Sequence, residues 1–347
     1  MAGFLKVLDG GAATSLQDAG RQGYRSLGVA LSGALDPLLL ACANALVGNA
    51  AGSTALEMRF TGPRLEVVRA GLRLALAGTA DVRVIRGDGS ADALSAWRCF
   101  AMEVGDVLHV GSVRSGVAYL AVAGGIDLPT ELGSHSTYVR ARIGGIDGRA
   151  LRDGNIIPCA SEKQRTADLA HVYGFVHQLG PIRVLLGPQD DYFTSDALAA
   201  LTASPYTVTR DFDRMGIRLS GALLVHDPAR GAEIVSDGVT PGAIQVPADG
   251  QPILLLADCQ TVGGYPKIAT VISADLPRLA HLLPGMQVHF AAVTRAVAHT
   301  ALTEQAAALR LWKSELAPHR PAGEIDEVAL YSANLVSGVV DMGEVAK

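Results

Sequence analysis

The chain has 347 residues, of which 49% are hydrophobic and 18% charged, a globular composition long enough to bury the cores of two ordinary domains. Its net charge of -5 is spread without long runs of one sign, which excludes the basic face that nucleic-acid binding requires. No basic segment leads into an apolar stretch at Met1–Lys6, and no window of about 18 apolar residues occurs, so neither a signal peptide nor a membrane span is expected. The cytoplasm is the expected location.

Thirty-nine glycines and sixteen prolines call for many tight turns, which favours short strands over a helical bundle. The first strand-like run is Leu5–Leu8. The first helix is predicted over Leu38–Val47, with Asp36 as its N-cap, Pro37 at the first helical position and Gly48-Asn49 ending it. Strand-like apolar runs follow at Leu72–Leu76, Asp106–Val110, Val117–Val122, Ile182–Leu186 and Ile253–Leu256. A second helix is predicted from a Ser273 cap through Leu282, stopped by Pro284. Another strand is predicted at Gln287–Phe290, and an alanine-rich helix at Thr300–Glu315.

Asp18–Arg25 and Asp211–Arg218 both read D-x-x-R-x-G-x-R. A Gly-Val turn follows each copy, at Gly28-Val29 and Gly238-Val239, and then Gly33-Ala34-Leu35-Asp36-Pro37 or Gly242-Ala243-Ile244-Gln245-Val246-Pro247. The common order points to two related β domains, 1–165 and 180–292, with their boundary in the polar stretch Ser161–Gln178. A helical extension occupies 295–347.

The densest run of chemistry-bearing residues is Asp237–Lys267. Polar groups that flank a strand on glycine-rich turns are where a scaffold presents function. Gln245, Gln251 and Asp258 either serve a ligand or satisfy backbone groups. Gly263-Gly264 allow close approach of a ligand to the backbone, and Tyr265 and Lys267 supply a phenol and a cation. The first half offers a second wall. The helix begun by Asp36 presents a positive end able to hold an anion, and Asn44 and Glu57 are polar residues in apolar surroundings. A buried polar group without a partner costs roughly 1–3 kcal/mol, so each of these is either paired or functional.

A G-x-x-x-x-G-K-S/T phosphate loop, a G-x-S-x-G elbow and a Met-Lys biotin acceptor are all missing from the sequence. Nine histidines show no metal-ligand spacing, so no metal is expected. Cys42, Cys99, Cys159 and Cys259 lack C-x-x-C spacing and read as reduced, buried thiols.

Several segments resemble the allophanate hydrolase subunit 2 family. These are Ser15-Leu16-Gln17-Asp18-Ala19-Gly20-Arg21, Ser32–Pro37, Ala43–Asn49, Ala55-Leu56-Glu57 and Tyr119–Ile126. Asp213-Arg214-Met215-Gly216, Gly242–Pro247 and Thr261–Lys267 complete the match. That family includes the C subunit of 5-oxoprolinase, the KipI antagonist and the carboxyltransferase region of urea carboxylase. The resemblance implies a mainly β fold of two cyclophilin-like barrels with a few short helices, and a site in the cleft between them. Its implied partners are the KipI-type B component of such an assembly and the A component beside it. The assembly would use ATP to open 5-oxoproline to glutamate, with no covalently bound cofactor in this chain. A carboxyltransferase fed by carboxybiotin on a partner, and a non-catalytic KipI-binding regulator, are the alternatives it leaves open. Phe212-Asp213 replaces the small polar residues usual before Arg-Met-Gly. On this reading Lys267 neutralises an oxyanion, Gln245 and Tyr265 orient the amide, and Asp258 or Glu57 acts as base. Arg214 is counted with the substrate-binding residues, and pairs either with an acidic neighbour across the domain interface or in a salt bridge that stabilises the barrel.

Overall fold

The computed structural model describes residues 3–162 and 168–319. The first half is built from β1 (Gly3–Asp9), β2 (Ala13–Gln17), helix α1 (Pro37–Leu46), β3 (Ala55–Arg59), β4 (Arg64–Arg69) and β5 (Leu72–Ala77). It continues with β6 (Ala80–Ile85), β7 (Ala91–Leu94), β8 (Cys99–Met102), β9 (Val107–Val113), β10 (Ala118–Val122) and β11 (Ile156–Cys159). These strands form a six-stranded sheet, β11-β1-β4-β9-β6-β7, and a five-stranded sheet, β2-β3-β10-β5-β8. Leu5, Val7, Leu56, Leu74 and Leu120 are buried in the core that the two sheets share.

After β12 (Leu169–Ala170) the second half contains β13 (Ile182–Leu186), α2 (Ser195–Ala203), β14 (Tyr206–Phe212), β15 (Gly216–Ser220), β16 (Asp237–Gly238) and β17 (Ala243–Gln245). Then come β18 (Ile253–Leu255), β19 (Val262–Gly263), β20 (Lys267–Val271), α3 (Leu276–Leu279), β21 (Gln287–Val288), β22 (Phe290–Ala292), α4 (Arg295–Ser314) and β23 (Ala317–Pro318). Eight of these strands curl into one sheet, β21-β14-β15-β18-β17-β20-β13-β22. The chain is mainly β, as the resemblance implied.

Helix α1 forms where the cap and proline place it. The Asp36 carboxylate accepts from the amides of Leu38 and Leu39, and Pro37 needs no amide partner at the first helical position. Seven of its ten residues are buried, which explains a sequence apolar on every face. It packs against β10, β5 and β3, and its buried side chains join a core cluster that also holds Val184, Leu219, Ile244 and Leu254 of the second half.

Three expectations are corrected. The helix predicted from a Ser273 cap through Leu282 is only the four residues of α3, with Asp275 rather than Ser273 at the N-cap position and its carboxylate accepting from the backbone and side chain of Arg183 instead of capping. Helix α4 begins at Arg295 rather than near Thr300, since Thr294 caps it by accepting from Val297. The two D-x-x-R-x-G-x-R segments take different local structures: Asp18–Arg25 is a loop after β2, whereas Asp211–Arg218 runs from β14 through a hairpin into β15. That repeat therefore carries no evidence for a duplication.

The stretch expected to be the boundary is packed at Leu169–His171, while Val172, Tyr173 and Val176 are exposed. Leu169-Ala170 pairs with β23, and the His171 ring stacks on Trp312 at 4.7 Å. Within the expected extension 295–347, residues 320–347 lie outside the described residues.

Candidate functional site

Strand register sets the site. Residues directly opposite one another on neighbouring strands share a face of the sheet. Arg218 of β15 lies opposite Ile253 of β18, Ile253 opposite Gln245 of β17, and Gln245 opposite Lys267 of β20. One row across four strands thus carries a guanidinium, an apolar spacer, an amide and, past a register shift between Ile244 and Gln245, an ammonium that lies outside the lining of the cleft the other three share. At about 4.8 Å per strand the row is roughly 14 Å long, the scale of a small acid and its surroundings.

Arg218, Ile253 and Gln245 line an open cleft of about 560 Å³, together with Arg210, Gln260 and Tyr265. Arg140, from the loop that follows β10, closes it from the first half and pairs with Asp213 at 3.2 Å. Arg210 and Arg218 have no carboxylate partner among the described residues. Asp211 also lines the cleft, so three arginines stand against the two carboxylates of Asp211 and Asp213, and sequence reading missed these arginines. Their only signal was the alternation of Arg218 with the buried Ile217 and Leu219.

Gln245 and Lys267 are buried, at 1% and 3% exposure. The Gln245 amide donates to the Tyr265 carbonyl at 3.4 Å and accepts from Gln260 at 3.3 Å. Lys267 donates to Asp237 at 2.8 Å, and Gln189 shares that carboxylate at 3.2 Å. The hydrogen bond from Lys267 is the largest influence holding Asp237 below the ordinary carboxylate value. Asp237 and Gly263 are register partners in the β16–β19 ribbon, so the ribbon lies against the inner end of the row. Glycine at 263 has a steric cause, because a Cβ there would sit 2.6 Å from the Gln245 amide nitrogen.

The other expected residues fall into separate groups. Arg214 donates to both oxygens of Asp258 at 3.0 and 3.1 Å, to the Gly33 carbonyl at 2.6 Å and to Glu57. This is the cross-half pairing, one of the two alternatives expected of Arg214. Burial disfavours its charge, but Asp258 and Glu57 outweigh that and hold its pKa above the usual arginine value. The second oxygen of Glu57 accepts from Tyr119 at 2.6 Å and from the Leu35 amide at 2.8 Å. Burial, and then the charges of Glu57 and Asp36, push the Tyr119 phenol well up. Glu57 and Asp258 are thus ion-paired carboxylates.

Asn44 donates to the Ser53 carbonyl and accepts from Asn49, while Gln251 brackets the backbone of Gly221. Gly264 approaches Ile234 and Ser236. The helix end expected to hold an anion is already filled by Asp36 itself. Its other oxygen meets His177 at 2.7 Å and His281 at 2.8 Å. The four cysteines are free and buried, and burial pushes the Cys259 thiol up to about 11 and those of Cys99 and Cys159 to about 12. Among the described residues no helix is long and apolar enough to cross a membrane.

A barrel-like β sheet set beside a second sheet system is the fold this chain shares with the carboxyltransferase class of domains. The chain belongs to the family described as carboxyltransferase domain, subdomain A and B, which matches residues 27–292. It is 38% identical to the C subunit of 5-oxoprolinase from Escherichia coli, over 82% of this chain and 90% of that protein. It is 29% identical to the urea amidolyase of Saccharomyces cerevisiae over 81% of this chain but 16% of that much longer protein. The solved structure of the Kluyveromyces lactis urea carboxylase superposes with a TM-score of 0.78 at 26% identity, covering 92% of this chain and 30% of that one.

Proposed function

We propose that this chain is the C subunit of a 5-oxoprolinase assembly, which opens the lactam of 5-oxoproline to give glutamate at the expense of ATP. The observation that carries the reading is the 38% identity to a protein of that name over nine-tenths of its length. The row of Arg218, Gln245 and Lys267 supports it, because 5-oxoproline is a small molecule with one carboxylate and one amide. Arg218 pairs with the carboxylate, in the bidentate geometry a guanidinium favours. Gln245, with Tyr265 beside it, aligns the lactam amide. Lys267 stabilises the oxygen that becomes negative as water adds to the carbonyl and the C–N bond breaks. ATP is assigned to the partner proteins, the KipI-type B component and the A component, since this chain has no phosphate loop.

A second reading is favoured by the urea carboxylase superposition: transfer of carboxyl from carboxybiotin on a partner to a small amide. One experiment separates the two. The chain is reconstituted with its A and B partners and assayed for ATP-dependent glutamate formation from 5-oxoproline, and in parallel with a biotin carboxylase, urea and bicarbonate. Glutamate formation, with KM raised at least tenfold by Arg218→Gln and the complex intact, is the expected result. Carboxylation of urea without lactam opening would overturn the proposal, and an unchanged KM would remove Arg218 from the site.

A further inference from the structure

Two histidines remote in sequence converge on one buried oxygen of Asp36. Asp36 has no exposed surface, and its Oδ1 accepts from the amides of Leu38 and Leu39 at 3.0 Å each, which fixes the carboxylate and aims Oδ2 away from the helix. Nε2 of His177 and Nε2 of His281 both lie against that Oδ2, at 2.7 and 2.8 Å. The three atoms lie within 4.8 Å of one another. Each ring is held from behind. Nδ1 of His281 meets the Ser115 carbonyl, and the His177 ring packs edge-on against Phe175 at 5.6 Å.

The Ser115 carbonyl can only accept, so Nδ1 of His281 carries the hydrogen. In the neutral ring Nε2 then bears a lone pair, pointed at a carboxylate lone pair 2.8 Å away. That contact is repulsive unless something positive lies between them. A backbone carbonyl on the far nitrogen of an imidazole, and hydrogen bonds on the far oxygen of a carboxylate, are the supports that orient metal ligands. Two imidazoles and one carboxylate are a donor set that zinc and related divalent transition ions take up, with a fourth position left for water. The histidine side chains keep 16% and 22% exposure, so the site is open to entry.

We propose that Asp36, His177 and His281 bind one divalent transition-metal cation of the zinc class. The ligands come from the N-cap of α1, from the segment joining the halves, and from the turn after α3. The ion therefore clasps the first half, the connector and the second half together. It is distinct from the Arg218–Lys267 row, which shares none of its residues. Sequence spacing could not reveal it, because the ligands are separated by 141 and 245 positions from Asp36.

The test uses the full chain, stripped with EDTA and titrated with Zn2+ alone. Calorimetry and elemental analysis should give one zinc per chain, and saturating zinc should raise the melting temperature. X-ray absorption at the zinc edge should find nitrogen and oxygen ligands and no sulfur. His177→Ala and His281→Gln should each weaken binding at least tenfold while the zinc-free chain keeps its circular dichroism spectrum. Should one variant fail to fold, the other carries the comparison. No saturable zinc, sulfur in the coordination shell, or binding undiminished in the folded variants would overturn the site and leave a proton as the only positive group between the rings and Asp36.

Discussion

Asp18 accepts hydrogen bonds from Ser134 Oγ at 2.6 Å, the His135 amide at 2.7 Å, the Gly20 amide at 2.9 Å and Ser136 Oγ at 2.5 Å. Burial alone would raise its pKa, but these donors prevail and hold it below the ordinary value. A depressed carboxylate adds stability above its unfolded pKa of about 3.9, and that stability is lost as pH falls through the lower folded value. Asp18→Asn should therefore cost about 1–3 kcal/mol at pH 7, with the gap to the parent narrowing below pH 4 in urea titrations. A gap that stays constant from pH 7 to pH 3 would refute this account. Lys267 is a second residue whose charge can be tested. Lys267→Met keeps the packing of the stem and should lower turnover of the reconstituted assembly by 100-fold or more, on the order of 3 kcal/mol, as loss of one oxyanion donor does. Undiminished turnover would confine Lys267 to holding Asp237. Gln245, Tyr265 and Lys267 were legible in the sequence because glycine-rich turns frame them. The partnership of Lys267 with Asp237, and the row that includes Arg218, depend on strand register, which a single sequence does not specify.

At the scale of elements, the loop between β10 and β11 positions Arg140 at the cleft. It is anchored by Asp18 and by Arg21, which is fully buried and donates to the carbonyls of Glu131 and Ser136. Gly144 closes this loop with φ of 70°, and a Cβ there would lie 2.1 Å from the Ser136 carbonyl oxygen and 2.2 Å from an Arg21 nitrogen. Gly144→Ala should thus destabilise the chain by roughly 2 kcal/mol or more, through combined strain and displacement of Arg21. A melting temperature equal to that of the parent would show that the loop yields freely. The same comparison explains which elements could be read from sequence. Helix α1 was legible because cap, proline and terminal glycine all agree, and the strands because turns bound their apolar runs. Helix α3 was misread at its start: Asp275, not Ser273, holds the N-cap position, and its carboxylate meets Arg183, 92 positions away, instead of capping. The D-x-x-R-x-G-x-R match misled because its first copy is a loop anchor and its second a hairpin at the cleft.

Across the whole molecule, the two halves are joined by burial and by charge. Helix α1 of the first half shares one core cluster with Leu219, Ile244 and Leu254 of the second. Arg214 bridges Asp258 in its own half to Glu57 in the other, and the backbone of Ser32 donates to the Ala257 carbonyl at 3.0 Å. The side chains of Glu57 and Asp258 are only 2% and 6% exposed, so each depends on the guanidinium for its charge to be tolerable. Arg214→Met keeps much of the volume but leaves two carboxylates in a poorly solvated place. Breaking a buried ion pair from one side costs about 3–5 kcal/mol, and here the loss falls on both halves at once. A shared core predicts that the parent unfolds in a single calorimetric transition, with equal calorimetric and van't Hoff enthalpies. Arg214→Met should lower that one transition without splitting it. A variant whose halves melt separately would mean that the ion network, and not the core around α1, makes the molecule cooperative. A variant as stable as the parent would mean that Glu57 and Asp258 find other partners at little cost.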